Sequence, residues 1–344
     1  MNRIGRAKTI RVLCLILAGL LSGVCLRAYA NADGRASATD APPPTPTPSP
    51  ATTVSPAPTP FTLVWFPDTQ SSAWAEPAAL SAMGGWVADN AERENIVYVL
   101  HTGDLVDNGF DESQWKNFAL AYDRFAGTVP YFCIAGNHDL GIKRQQWDGY
   151  LAQPYAHTVP ENQQYAGGKA AYTLFSAGGT DFLVVGVGYG AEEECAKWVR
   201  DVCKRYPDRY GILLVHDFLH GTGDYVDELG ECVHYRILSK CKNLYLCLCG
   251  HFRGTAYRTY EYDDTYDGIP DRAVHTMLCN YQHFSHYGGQ LRTLRFDPAT
   301  GDLTVHTFSA LTGQEMRDKT WKTSTFTIPG ALYSHAPEAL AAVE

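Results

Sequence analysis

The chain has 344 residues, 45% of them hydrophobic, so it is long enough to bury a sizeable core in one large domain or two small ones. Its 37 acidic residues outnumber its 28 basic residues and give a net charge of −9. We therefore expect no long nucleic acid and no anionic membrane as a partner, because both require a positive protein surface.

Residues 1–30 have the pattern of a secretory signal peptide. Four basic residues precede the uncharged run 12–26, and Ala28-Tyr29-Ala30 then forms a small-x-small cleavage site. The run is shorter than the roughly 18 residues of a membrane-spanning helix, so we expect cleavage and export, with an uncleaved anchor as the alternative. Cleavage removes five basic and no acidic residues, which leaves 23 basic against 37 acidic residues and a net charge of −14.

The remaining chain divides into three parts. Residues 31–60 are rich in Pro, Thr, Ser and Ala and carry almost no charge, which predicts an extended, disordered linker. Residues 61–330 contain the hydrophobic patterns of a folded domain, and residues 331–344 are expected to be a C-terminal tail. Eight cysteines follow residue 30, and this even number permits disulfides in an exported protein, although their spacing specifies no pairing.

Short apolar runs alternate with helical segments over most of the folded part. The predicted order is strand 61–67, helix 76–94, strand 95–104, helix 111–127, strand 129–136, hairpin 170–188, helix 192–206, strand 210–217, a helix over about 226–240 and strand 243–251. Such alternation is typical of βαβ units and a largely parallel, buried sheet. Residues 254–329 have the pattern of antiparallel strands, so the predicted class is α/β with a mixed second half.

Polar residues follow five of these strands at the point where each strand ends. They are Asp68-Thr69-Gln70, Gly103-Asp104 with Asp107, Gly136-Asn137-His138-Asp139, His216-Asp217 and Gly250-His251. Because the carboxyl ends of strands form the functional edge of an open α/β sheet, we expect these side chains to meet. Carboxylate, amide and imidazole groups are ligands for divalent metals, so the sequence predicts a metal site at this edge.

The order and spacing of these motifs resemble the calcineurin-like metallophosphoesterases, and in particular a bacterial exported branch whose first motif reads Asp-Thr-Gln. The stretches "GDLVD" (103–107) and "GNHD" (136–139) match fully, and His216 and Gly250-His251 match in place and order. The resemblance covers about residues 61–310. It implies a four-layer α/β/β/α sandwich of two mixed β-sheets flanked by helices, with a two-metal site between the sheet edges.

The resemblance also implies a role for each motif residue. The implied ligands of two divalent ions (Mn, Fe or Zn) are the bridging Asp104, then Asn137, His216 and His251 at the second ion, and Asp68 and Gln70 at the first. Two such ions supply a hydroxide for in-line attack on a phosphomonoester or phosphodiester. His138 would then act as the general acid that protonates the leaving group, oriented by Asp107.

Two residues depart from the commoner family pattern. Gln70 stands where His is commoner, and Arg253 stands where a second His would bind the first metal. An amide oxygen can ligate a cation whereas a guanidinium cannot, so the first site is expected to be the weaker one. Arg253 is instead a candidate clamp for the substrate phosphate, with a surface ion pair as the alternative, and Asn108 is a second candidate substrate contact.

These departures keep a second function open. The alternative is a catalytically weakened or inactive module that binds a phosphorylated ligand or a glycan at the cell surface. His283 and His286 either assist the first metal and the substrate pocket or belong to an aromatic loop. Nothing in the sequence specifies the substrate or the oligomeric state.

Overall fold

The computed structural model describes residues 59–141, 146–282, 288–316 and 323–333. The predicted signal peptide, all but the last two residues of the linker, His283, His286 and residues 334–344 lie outside these described residues. The predictions made for them therefore stay predictions.

The described residues form thirteen strands and six α-helices. The strands are β1 (Phe61–Phe66), β2 (Ile96–His101), β3 (Tyr131–Cys133), β4 (Gln164–Tyr165), β5 (Ala170–Ala177), β6 (Thr180–Val187), β7 (Tyr210–Val215), β8 (Leu244–Cys249), β9 (Gly254–Tyr262), β10 (Arg272–Asn280), β11 (Gln290–Asp297), β12 (Asp302–Ser309) and β13 (Phe326–Ile328). The helices are α1 (Gln70–Ala75), α2 (Pro77–Asn90), α3 (Glu112–Tyr122), α4 (Trp147–Leu151), α5 (Glu192–Arg205) and α6 (Asp227–Glu231). Short 3-10 turns occupy Pro154–His157, Glu161–Gln163 and Ala331–Tyr333, and a π-helical segment, Cys232–Leu238, continues α6.

The strands form two mixed sheets. The first has the order β13-β12-β11-β1-β2-β3, in which β1, β2 and β3 are parallel and β11 to β13 are antiparallel. The second has the order β4-β5-β6-β7-β8-β10-β9, with β6, β7, β8 and β10 parallel. The predicted hairpin is confirmed as β5 and β6, joined by Gly178-Gly179, whose positive φ angles of 56° and 83° suit glycine.

The two sheets pack face to face, with helices on their outer faces. Leu63 and Trp65 of β1 share one core with Val184 and Ile212 of the second sheet. Successive side chains along a strand point to opposite faces of the sheet. Val64, between Leu63 and Trp65, therefore faces outward and packs against α2 and α3. A third core joins the outer face of the second sheet to α5 and the π-helical segment. The predicted four-layer α/β/β/α arrangement is confirmed.

The observed elements differ from the predicted ones at several ends. A separate short helix, α1, is separated from the end of β1 by three residues, and β3 is only three residues long. The folded part continues to residue 333, because Ala331 and Leu332 are buried in the core beyond the predicted boundary at 330. All eight cysteines after residue 30 are buried free thiols. None of the helices in the described part of the chain is long and apolar enough to cross a membrane.

Helices α2 and α3 lie in close backbone contact at Gly84. A Cβ added at Gly84 would lie 2.0 Å from the carbonyl oxygen of Ala121, which is backbone and cannot move aside. At the next residue, Gly85, the same atom would meet the side chain of Arg124 at 2.9 Å, and that side chain is flexible. Substitutions at the two neighbouring glycines therefore form a matched pair that tests the contact between α2 and α3.

We expect Gly84→Ala to lower the free energy of unfolding by about 2 kcal/mol, because overpacking outweighs the gain in helix propensity. Gly85→Ala should leave it unchanged or raise it by up to about 1 kcal/mol. Urea unfolding of both variants measures the difference. An equal effect of the two substitutions would show that the backbone contact between α2 and α3 is absent in solution.

Candidate metal centre

The predicted site lies at the seam between the two sheets. After β7, His216 donates from Nδ1 to the carbonyl oxygen of Thr102, which follows β2, at 2.8 Å. After β8, the backbone N–H of His251 donates to Oδ2 of Asp68, which follows β1, at 3.0 Å. These hydrogen bonds join the strand ends of one sheet to those of the other, as the motif positions predict.

The turns that carry these residues are tight and partly left-handed. Asp104 and His251 have φ angles of 54° and 66°, a region that costs a non-glycine residue about 1–3 kcal/mol. A Cβ at Gly136 would lie 2.2 Å from Asp104 Oδ1, and one at Gly250 would lie 2.0 Å from Asp68 Oδ1. Glycine is therefore required before Asn137 and before His251 for the carboxylates to reach the site.

Four predicted ligands of the second ion converge on one point; we call Asp104, Asn137, His216 and His251 the second ligand group. His216 Nε2 lies 3.0 Å from Asn137 Oδ1 and 3.3 Å from Asp104 Oδ1, and His251 Nδ1 lies 2.9 Å from Asn137 Oδ1. Metal–ligand bonds of about 2.0–2.2 Å place neighbouring ligand atoms about 2.9–3.4 Å apart. The four donor atoms therefore have the spacing of ligands around one cation.

Neighbouring residues fix the orientation of both imidazoles in this group. Because Nδ1 of His216 donates to Thr102, its Nε2 is the atom that faces the other donors. The ring of Tyr189 stacks on His251 with the centroids 5.7 Å apart. The second ligand group is thus held in place by contacts outside itself.

Asp68 and Gln70, with Asp104, form a first ligand group that consists only of oxygen-bearing side chains. Gln70 donates from Nε2 to Asp104 Oδ2 at 2.9 Å. Asp68 Oδ1 and Gln70 Oε1 are buried and have no hydrogen-bond partner among the described residues. Buried polar atoms are nearly always paired, so two unpaired oxygens beside a buried carboxylate fit a bound cation.

The charges of the buried groups are strongly coupled. Burial raises the pKa of Asp68 well above its ordinary value, and the charge of Asp104 raises it further. Burial opposes ionisation of Asp104 as well, but the charge of His216 holds the pKa of Asp104 below its usual value. Burial would lower the pKa of His216, yet Asp104 raises it to about 10. The proton on His216 compensates for the negative charge of Asp104. A bound cation would take over this role.

His138 stands beside the ligand groups and has contacts of its own. Its backbone N–H donates to Asp104 Oδ1 at 2.9 Å. Its Nδ1 lies 2.8 Å from the carbonyl oxygen of Asp107 and 3.2 Å from the carboxylate Oδ1 of the same residue. Asp107 therefore orients the imidazole through Nδ1, and the side chain of His138 is 24% exposed.

The two candidate substrate contacts lie outside these groups. Arg253 is exposed, and within the described residues its side chain makes no hydrogen bond or ion pair. Asn108 is also exposed, and its Oδ1 accepts a hydrogen bond from the backbone N–H of Phe110 at 3.1 Å, which stabilises the local turn. Their proposed roles in substrate binding stay predictions.

Two residues of the site, Asn280 and Glu192, were not predicted from the sequence, and Asp217 was placed at a strand end without a specific role. Asn280, fully buried at the end of β10, donates to Asp68 Oδ2 at 2.8 Å and to the carbonyl oxygen of His251 at 3.0 Å. Asp217 Oδ2 lies 3.7 Å from His251 Nε2. Glu192 is buried behind them, and this burial together with the charge of Asp217 raises its pKa to about 7. Asn280 carries the same signal as the other motif residues, because it is a polar residue at the end of a buried strand. That signal would have identified it.

A family model described as calcineurin-like phosphoesterase matches residues 62–252, more than half of the chain. The chain belongs to the calcineurin-like phosphoesterase family. This membership confirms the prediction of a metal-dependent phosphoesterase domain, and three residues of the second ligand group, Asp104, His216 and His251, have ligand atoms close enough together to hold one metal ion.

One sequence relative and two solved structures match more than 70% of this chain. An uncharacterised protein of Bacillus subtilis (strain 168), YvnB, is 35% identical over 255 residues; the match covers 72% of this chain, which spans only 20% of that relative. A dimetal phosphatase from Danio rerio has a similar structure, with a TM-score of 0.55, 12% identity and coverage of 78% and 98% of the two chains. A purple acid phosphatase from yellow lupin seeds has a TM-score of 0.53, 16% identity and coverage of 79% and 54%. At these identities the structures show the fold alone.

We expect metal-stripped protein to bind two equivalents of Mn²⁺ or Zn²⁺ with unequal affinity, because only the second ligand group contains imidazoles. Asn137→Ala should remove the tighter equivalent, and Gln70→Ala should weaken only the other. Calorimetric titration with metal analysis measures both, and Gln314→Ala, at an exposed loop residue, is the control. Two equal equivalents, or loss of the same one in both variants, would contradict the assignment of the groups.

Proposed function

We propose that this protein is an exported phosphoesterase that hydrolyses a phosphomonoester or a phosphodiester, with His138 as the general acid. The observation that carries the proposal is the position of His138, whose backbone donates to the shared carboxylate Asp104 while its imidazole is oriented by Asp107. A proton donor is thereby held next to the residues that would hold the metals. The motif residues of the family, carried over one by one, support the same assignment.

The residues divide the chemistry between binding and proton transfer. Asp68, Gln70 and Asp104 would hold one cation and the second ligand group the other, with Mn, Fe or Zn as the candidate metals. When bound, such ions withdraw charge from the phosphate oxygens and make a water nucleophilic near neutral pH. His138 donates its Nε2 proton to the leaving oxygen, while its Nδ1–H remains hydrogen-bonded to Asp107.

The non-catalytic alternative rests on Gln70 and Arg253. Arg253 belongs to neither ligand group. It stands where the commoner family pattern has a second histidine, so the first group lacks that ligand. A module that only binds a phosphorylated ligand or glycan has no use for an oriented imidazole beside the metals, however. The pairing of His138 with Asp107 therefore favours catalysis, and the alternative becomes an outcome of the following experiment.

We expect metal-restored protein to hydrolyse aryl phosphates and His138→Ala to lose about 10²–10⁴-fold in kcat with phenyl phosphate. The loss should be smaller with p-nitrophenyl phosphate, because its leaving group is the stronger acid and needs less protonation. Asp104→Asn should abolish turnover of both esters together with metal binding. Parallel assays with bis(p-nitrophenyl) phosphate distinguish a monoesterase from a diesterase.

His306→Ala, which removes a partly exposed histidine outside both ligand groups, is the matched control and should retain full turnover. Equal losses with the two aryl esters in His138→Ala would contradict the general-acid role. Two bound equivalents of metal with no turnover of any ester would favour the non-catalytic module.

We further propose that export follows cleavage after Ala30, on the evidence of the charge and hydropathy pattern of residues 1–30. The full chain, expressed in a bacterial secretion host, should be recovered from outside the cytoplasm with Asn31 as its first residue. N-terminal sequencing measures this, and Leu17→Arg in the apolar run should block it. A product that remains attached to membranes with Met1 intact would establish the uncleaved anchor instead.

A further inference from the structure

A small pocket opens beside the first ligand group, at Asp68. It has a volume of about 240 Å³ and is bordered by α1, the beginning of α2 and the chain that leads into β11. Pockets for drug-sized ligands usually measure about 300–1,000 Å³. The pocket therefore suits a group of a few heavy atoms attached to a phosphate at the metal centre, and it is too small for a polymer.

The charges that the described residues place around this pocket are negative. Among the described residues that line it, the charged ones are Asp68 and Glu76, and none is Lys, Arg or His. Asp68 belongs to the first ligand group, so the Glu76 carboxylate is the charge left to face a substituent of the substrate. Glu76 Oε2 lies against the opposite wall, because a Cβ at Gly288 would be only 2.5 Å from it. An anionic substituent would be repelled here and a cationic one attracted.

An exposed tryptophan also lines the pocket. The Trp74 side chain is 61% exposed although it lines the pocket, whereas Met83 beside it is buried. The face of an indole attracts ammonium groups through its quadrupole, and Trp is the most effective of the aromatic side chains in this interaction. Ser71, Gln282 and Gln290 also line the pocket, and each carries a buried polar atom that no described residue satisfies, so the wall contains polar as well as aromatic groups.

We propose that this pocket binds the organic group of the substrate and selects a small cationic one, so that the preferred substrates are phosphate esters of amino alcohols. The inference rests on the proposed function, since it assumes that the phosphate is bound at the adjoining metal centre. Glu76 and Trp74 are the residues that determine this specificity.

Two non-hydrolysable phosphonates test the selection without turnover. The metal-loaded full chain is titrated calorimetrically with 2-(trimethylammonio)ethylphosphonate and with its uncharged isostere, 3,3-dimethylbutylphosphonate. We expect the cationic ligand to bind five- to tenfold more tightly. Glu76→Gln should reduce this preference to within about twofold, and Trp74→Leu should weaken the cationic ligand more than the uncharged one.

Glu228→Gln is the matched control, because it removes one exposed carboxylate of α6 that does not line the pocket, and it should leave the preference unchanged. Equal affinity for the two phosphonates, binding of neither, or a preference that survives both pocket substitutions would overturn the proposal. Hydrolysis of aryl phosphates without the preference would refute the pocket alone. The preference without any hydrolysis would refute the proposed function and retain the pocket.

Discussion

The buried carboxylate of Asp104 is the group on which the arrangement of the site depends. It is 1% exposed, and burying such an ion costs several kcal/mol unless partners compensate for it. Three hydrogen-bonding or charged partners come from different strand ends, namely Gln70, His138 and His216. The charge therefore requires both sheets to end at the same place, and it makes the seam between them a site for cations.

The backbone around this carboxylate is built to bring polar groups close together. Asp104 and His251 adopt left-handed conformations, and each follows a glycine at which a Cβ would collide with a neighbouring residue. Such conformations persist only where the surrounding structure holds them, here the parallel strands and the cores on both faces of each sheet. The apolar strands thus have two roles, since they form the core and they also support strained turns that display the ligands.

The sequence predicted most of this because the relevant signals are local. Alternating apolar runs indicated the strands, and polar residues at their ends, Asp104 and His216 among them, indicated which side chains meet. Asn280 was missed because the prediction for this stretch rested on His283 and His286, although Asn280 ends a buried strand and holds Asp68. The extension of the core to Leu332 was also missed, because burial of a single apolar turn depends on long-range packing that no local pattern encodes.

The two ligand groups differ in how the negative charge of their carboxylates is compensated. In the second group, protonated imidazole can stand in for a cation, since His216 carries a raised pKa beside Asp104. The first group has no imidazole, and burial raises the pKa of Asp68, so the charge of its carboxylate depends more strongly on a bound cation. Fewer protein ligands leave more coordination positions for oxygens of water or phosphate. The side that we expect to bind its cation more weakly is therefore the side on which a substrate would contribute most to metal binding, and it is the side on which the pocket opens.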